Sequence, residues 1–427
     1  MGTEYPMFKF HKIRSHAVLS LWLFAVVAGA SAQQPLTWKQ VRQRFEQNNP
    51  TLLAGKLNID ESKAQEITAY LRPNPNLTLL SDQIDPFGGG PNHGPFSYYL
   101  PSASATYLHE RQHKRELRLE SAQKGTAIAS STQDDLERNL LFSLRGAFVQ
   151  TLQAKAVLSV TKENLEYYDH LLGISRERFH AGDIAQIDLD RLELQRVQYE
   201  SDLQTADVDL RTAKIQLLML LNDQTPVETF DVTGPFEFNE EIPPLDEFRK
   251  IAMDTRPDLK AAIESVDKAK TDHKLAVANG STDPVFGVDA GRNPPIDLYV
   301  GFSVSIPLRF FDRNQGEKLR TQLDIDRNQK LLDAAHAQVF SDVDSAYATL
   351  KSNLTLLEPY KTKYLAQAVR VRDTIAFSYQ HGGASLLDFL SAQGEYRTVQ
   401  LAYVNLVGSY LTAASQLNLA IGREVIP

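Results

Sequence analysis

His109-Glu110-Arg111-Gln112-His113 is the stretch whose residue types and spacing best match a catalytic pattern. On a helix, two histidines four positions apart share a face and can hold zinc, with the glutamate between them as general base. Three features weigh against that chemistry. The segment falls where a strand-like run gives way to a helix-like one, the second half of the chain has no histidine at the corresponding place, and no third ligand stands out downstream. A peptidase also needs a closed cleft. A chance match with solvated or pore-lining side chains accounts for the pattern, and zinc metallopeptidase is kept only as an alternative. No glycine-rich phosphate loop and no serine nucleophile elbow occurs, so the expectation is a protein with no catalytic residue, no resident metal and no cofactor.

The remaining candidates come in pairs set 200 positions apart. Phe179 matches Tyr379, Gly182 matches Gly382, and Asp188 matches Asp388. Each set reads as an aromatic residue, a glycine turn, an acid and then a long amphipathic helix. In the later copy Tyr396, Val399, Tyr403, Leu406, Tyr410, Ala413, Leu417 and Ala420 step by threes and fours, the seam of a coiled coil. Leu203, Ala206, Leu210, Ala213, Leu217 and Leu220 keep that register in the earlier copy. An acid just after a glycine turn also suits the positive end of the following helix dipole, which by itself gives Asp188 and Asp388 a structural role.

Outward from the turns, the chain divides into two similar halves. Residues 1–32 read as a secretory signal peptide: Lys9, Lys12 and Arg14 precede a short apolar core, and Ala30-Ser31-Ala32 supplies the cleavage site. Met1 and Met7 are both candidate starts. Cleavage after Ala32 removes three Lys/Arg and one Glu, which takes the formal charge from −8 to −10 and argues against nucleic acid as a partner. The chain has no cysteine, which excludes disulfides, thiolate metal sites and an acylated N-terminal cysteine. An exported protein without disulfides must be held by packing or oligomerisation.

The first repeat spans 33–222: a helix interrupted at Asn49-Pro50, two strands at 76–85 and 97–108, and a long hairpin over 109–222. The absence of proline between Pro101 and Pro226 argues for a first hairpin helix of about 70 residues, roughly 100 Å long at 1.5 Å per residue. A proline-rich linker at 223–244 precedes the second repeat, 245–427. That repeat holds a helix, two strands at 284–291 and 297–307, and a hairpin over 313–422, with a kink or local unwinding expected at Pro359. In the last strand Leu298, Val300, Phe302, Val304 and Ile306 share one face and Tyr299, Gly301, Ser303 and Ser305 the other, as a transmembrane β-barrel requires. Four strands cannot close a barrel, and open edges in lipid leave backbone groups unpaired, so the chain must associate. Three copies would supply twelve strands.

The duplicated order of these segments resembles the TolC family of outer-membrane efflux proteins across essentially the whole mature chain. The resemblance rests on Asn74-Pro75-Asn76, on Ile306-Pro307-Leu308 leading into Asp312-Arg313-Asn314-Gln315-Gly316, and on the two turn segments. It implies a mainly α fold: tandem coiled-coil hairpins plus four strands per chain, closing in a homotrimer as a twelve-stranded barrel in outer-membrane lipid and a periplasmic helical tunnel. It also implies docking to a periplasmic adaptor, or membrane fusion, protein and an inner-membrane efflux pump. Matched residue by residue, Asp388 falls where the family lines its closed entrance, with Gly382 and Ser391 beside it, and Tyr379 and Asp188 where it latches neighbouring hairpins. Gly182, Asp183 and Gly383 fall at the turns that would meet the adaptor. Ala384 and Ser391 depart from the best-known members, which place an arginine and a second acid there. Three symmetry-related Asp388 carboxylates at a constriction would repel one another and attract cations. The segment from Tyr107 to Ala122 and the Asp312–Gly316 run resemble the heavy-metal efflux branch. The competing reading is a periplasmic coiled-coil adaptor or scaffold, which would instead interrupt one hairpin with lipoyl-like and small-barrel domains.

Overall fold

The computed structural model describes residues 34–84 and 99–426; the expected signal peptide, the glycine-rich loop after the first strand, and Ser97 and Tyr98 at the expected start of the second strand lie outside them. Two short helices, α1 (Trp38–Asn48) and α2 (Pro50–Tyr70), meet at Asn49, whose side chain accepts from Leu52 N while Pro50 takes the first helical turn. The strands β1 (Asn76–Asp82) and β2 (Leu100–Leu108) follow. They lead to α3 (Lys114–Ala181) and α4 (Gln186–Leu221). The second half repeats the order with α5 (Leu245–Thr255), α6 (Pro257–Asn279), β3 (Val285–Asn293) and β4 (Ile296–Ser305). It closes with α7 (Gln315–Pro359), α8 (Leu365–Gln380) and α9 (Leu386–Ile421). Helices α4 and α9 are both 36 residues long and sit 200 positions apart.

Several boundaries differ from those read in the sequence. The first strand ends at Asp82 rather than at 85, and the fourth stops at Ser305, before Pro307 removes a ladder donor. The long helices begin at Lys114 and Gln315 rather than at 109 and 313. The residues just before them, His113 and Asn314, have φ of 54° and 61°, so the chain turns through a left-handed residue between sheet and helix in both halves. At Pro359 the unwinding takes a defined form, a π-helical turn over Tyr360–Tyr364. Residues 223–244 are more than a linker: Phe230 and Val232 are buried, and Leu36 N donates to Asp231 O while Thr233 N donates to Leu36 O. That segment ties the start of the first repeat to the start of the second.

All four strands lie in one antiparallel sheet of order β1-β2-β3-β4, so the two repeats join at β2–β3. Its register sorts side chains cleanly. Leu77, Ala105, Val288 and Phe302 form one cross-strand row and Leu79, Ala103, Ala290 and Val300 the next, on one face. Thr78, Ser104, Asp289 and Gly301 form a row on the other. The apolar face is open: Leu79, Phe302 and Val300 are 74%, 84% and 64% exposed.

Below the sheet the helices form a single layer. Near the sheet the neighbours run α2–α3–α6–α7; further down they run α4–α3–α9–α7/α8. Three separate cores hold it. One packs Leu144, Phe148 and Leu217 against Val41, Phe45 and Val232, and its counterpart in the second half packs Val343, Leu350 and Leu417 against Phe248. The third lies at the far end, around Tyr168, Leu192, Tyr379 and Phe389, and joins the two hairpins to each other.

Candidate functional site

The two hairpin turns sit at the end farthest from the sheet. Gly182 and Gly382 have φ of 86° and 76°, the left-handed region where a Cβ is strained. Each closes its helix by accepting the chain reversal: Gly182 N donates to Phe179 O and Asp183 N to Arg178 O, and Gly382 N to Tyr379 O with Gly383 N to Ser378 O. Asp183 and Gly383 are exposed at the tips, and so are Ile187 and Leu387, again 200 positions apart.

Asp388 and Asp188 occupy equivalent positions and have different local chemistry. Ser385 begins α9: its Oγ donates to Asp388 Oδ2 at 2.6 Å, and it accepts from Asp388 N at 3.1 Å, while Ser385 N donates back to the same carboxylate at 3.2 Å. This is a reciprocal cap, and the serine's bonds hold the Asp388 carboxyl below the usual carboxylate range. In the first copy Ala185 begins α4 and has no side-chain oxygen to offer Asp188. Asp388 remains exposed, so capping and a charged entrance are compatible. Ser391, one turn on, is exposed and donates to Glu395 at 3.3 Å.

Tyr379 is 8% exposed and lies flat on Phe389, with centroids 4.9 Å apart. Among the described residues its hydroxyl makes no hydrogen bond of standard geometry, Ser175 being its polar neighbour, so the expected bond to Asp188 is not made within the chain. Burial pushes the Tyr379 phenol pKa up, Arg178 pulls it down, and the Asp188 charge adds a smaller upward push. The two residues are therefore electrostatic neighbours, and no hydrogen bond joins them within one chain.

The contacts that do fasten hairpin to hairpin involve arginines which the periodicity did not single out. Arg178 Nη1 donates to Tyr379 O at 3.1 Å. Arg372 on α8 lies over the Tyr167 ring of α3 at 4.6 Å and over Tyr396 of α9 at 4.0 Å. Arg397 Nη1 donates to Asp202 at 2.7 Å, and its guanidinium lies 5.2 Å from the Tyr199 ring. The sequence signal was available in hindsight: positions 178, 372 and 397 break the 200-residue match, with Ser378, Leu172 and Val197 as their counterparts.

The His109–His113 segment does not carry zinc-hydrolase geometry. It is not helical, Gln112 and His113 both have positive φ, and Glu110 is taken by an ion pair with Arg118. Among the described residues no group of three His, Cys, Asp or Glu could hold a metal ion. Nor is any described helix long and apolar enough to cross a membrane.

Residues 249–423 match the family described as outer membrane efflux protein. Over nearly its whole length the chain is similar to the cobalt-zinc-cadmium resistance protein CzcC of Cupriavidus metallidurans, at 21% identity over 92% of this chain and 91% of that protein. It is 22% identical to the outer membrane protein TolC of Escherichia coli over 70% of this chain and 64% of that one. Among solved structures it superposes on the transmembrane channel CusC with a TM-score of 0.76, 16% identity, and coverage of 90% and 92%. The open-state outer membrane channel MtrE of Neisseria gonorrhoeae gives 0.74, 17%, 91% and 89%.

Proposed function

We infer from the membership of this chain in the TolC family of outer-membrane efflux proteins that three copies build one continuous duct through the outer membrane and the periplasm. The chain is an outer-membrane channel, the exit duct of a tripartite efflux system, and not an enzyme. The observation that carries the reading is the sheet. Its apolar rows run unbroken across strands from both repeats and face outward, its polar rows face the other way, and β1 and β4 each have a free edge. Such a sheet is stable in lipid only if its edges are paired, and twelve strands from three copies pair them all.

The helices support the same assembly. Ile187, Leu194, Val208 and Ile215 on α4 are exposed apolar residues at multiples of seven. They lie on an outer member of the helical layer, where the α7/α8 edge of the next copy would meet them as a coiled-coil seam. The tips, with Gly182, Asp183 and Gly383 framed by exposed Ile187 and Leu387, offer the periplasmic adaptor a surface, and the adaptor links the duct to an inner-membrane pump. The entrance is lined by Asp388, with Gly382 and Ser391 beside it, and its charge favours cations.

The cargo class is metal cations. What supports this is the full-length similarity to a cobalt-zinc-cadmium resistance protein together with the acidic balance of the chain. The test has two parts. Purified protein should run as a heat-modifiable trimer and give a small cation-selective conductance in a planar bilayer; recovery as a periplasmic monomer overturns the duct. A deletion strain should become sensitive to cobalt, zinc or cadmium; unchanged sensitivity overturns the cargo assignment and leaves the duct standing.

A further inference from the structure

A cavity of about 450 Å³ lies between α1, α3 and the C-terminal end of α9, far from the hairpin tips. That is the size of a small-molecule or short-peptide site. Its place in the layer matters: α3 and α9 are the two inner members of the order α4–α3–α9–α7/α8. In the ring proposed above neighbouring copies join at the outer members, which leaves the α3 and α9 walls of this cavity away from the seam.

The walls are charged at both ends; Arg42 pairs with Glu46 at 2.7 Å and Arg138 with Asp135 and Asp258, whereas Arg145, Asp134 and Glu137 have no partner among the described residues. At one end Arg145 stacks over Trp38 at 4.6 Å and makes no hydrogen bond or ion pair among the described residues. Burial pulls its guanidinium pKa down and the Glu424 charge only partly offsets this, the signature of a cation short of a counter-ion. Arg42, one helical turn from Trp38, stands at the same end, 3.8 Å from Glu424. Toward the other end Asp134 and Glu137, three positions apart on α3, have no partner among the described residues either. The cavity wall also holds a buried indole N–H, that of Trp38, with no acceptor among the described residues.

Eight helical positions separate Glu137 from Arg145, about 12 Å along the axis. An extended peptide of three residues spans about 10–11 Å. We propose that this cavity binds a short zwitterionic peptide of about three residues, its C-terminal carboxylate on Arg145 and its ammonium group at Asp134 and Glu137. A planar guanidinium held flat on an indole presents its N–H fork to a carboxylate, and the two free acids reject a bare dianion while welcoming a cationic terminus.

The chain has two tryptophans, Trp22 and Trp38, and Trp22 lies within the 1–32 leader. Protein cut after Ala32 therefore carries its sole tryptophan at the cavity. Tri-alanine with free termini, titrated into the purified trimer, should give a saturable change in Trp38 emission. N-acetylation or C-amidation of that peptide should each weaken binding at least about tenfold, as expected for loss of a charge-assisted bond. Arg145→Gln, and separately Asp134→Asn with Glu137→Gln, should weaken free tri-alanine similarly with trimer and conductance unchanged. A flat titration, an equal response to the capped peptides, or an equal response to inorganic phosphate would overturn the proposal. If a variant does not assemble, the capped peptides on the unaltered protein still decide.

Discussion

Ser385 Oγ donates to Asp388 Oδ2 at 2.6 Å, whereas Ala185, at the equivalent place 200 residues earlier, leaves Asp188 without such a bond. Asp388 thus holds the turn as well as carrying a charge at the hairpin tip. Asp388→Asn keeps an acceptor for Ser385 and removes the charge; Asp388→Ala removes both. The first should lower cation selectivity in a planar bilayer and lose the charge-assisted part of the cap; the second should lower selectivity and lose the whole cap, so thermal stability should fall from the unaltered protein to Asp388→Asn to Asp388→Ala. Because the folded carboxyl titrates below its ordinary value, the cap's contribution is complete above about pH 4 and lost as the pH falls through that lower folded value. Selectivity should therefore persist at pH 5 in the unaltered protein and be reduced in Asp388→Asn; equal selectivity in the two proteins would remove Asp388 from the entrance.

Tyr379→Phe deletes a hydroxyl that is buried and unpartnered. The expected result is a stability change within about 1 kcal/mol, because the hydroxyl makes no hydrogen bond of standard geometry among the described residues and has only Ser175 as a polar neighbour. Closed-state conductance should not change. An increase would mean that the hydroxyl finds its partner on a neighbouring copy.

Arg372 is sandwiched between Tyr167 and Tyr396, one ring from each hairpin. Arg372→Gln should free the second hairpin from the first, at a cost of about 1–2 kcal/mol for two partly shielded cation–π contacts. Single-channel conductance should rise, with Arg372→Lys intermediate. Equal conductance in all three proteins would assign the sandwich to stability alone.

Arg256 has only 4% of its side chain exposed; it pairs with Asp258 at 2.6 Å and Asp342 at 2.8 Å and donates to Ala420 O at the end of α9. Arg256→Met should cost about 3–5 kcal/mol, since two acids and a helix-terminal carbonyl lose their donor. Burial pushes the Asp258 carboxyl up, but Arg256 and Arg138 outweigh it, so its pKa is lowered overall. That stability is present above the ordinary carboxylate range and disappears below it as the folded carboxyl protonates. Urea denaturation at two pH values measures both effects.

Phe302 and Ser303 stand on opposite faces of β4. Phe302→Arg places a cation on the apolar face and should cost about 2–4 kcal/mol near the bilayer midplane, enough to reduce outer-membrane assembly sharply. Ser303→Arg should assemble and alter conductance. The reverse pattern would turn the sheet inside out.

Much of this was legible in the residues themselves. The 200-residue offset marked out the two hairpins, because a coiled-coil seam is a local periodicity that one helix displays without its partner. The alternation from Leu298 to Ile306 marked a two-faced strand for the same reason. The zinc pattern at His109–His113 failed because the spacing rule assumes a helix, and two left-handed residues deny it one. What only the tertiary structure decided are the relations between distant residues. Whether Tyr379 meets Asp188, whether Arg372 lies between two rings, and whether Arg145 finds a counter-ion depend on how helices hundreds of residues apart rotate against one another. Period and propensity specify which face of a helix is buried; the packing of that face selects its partners.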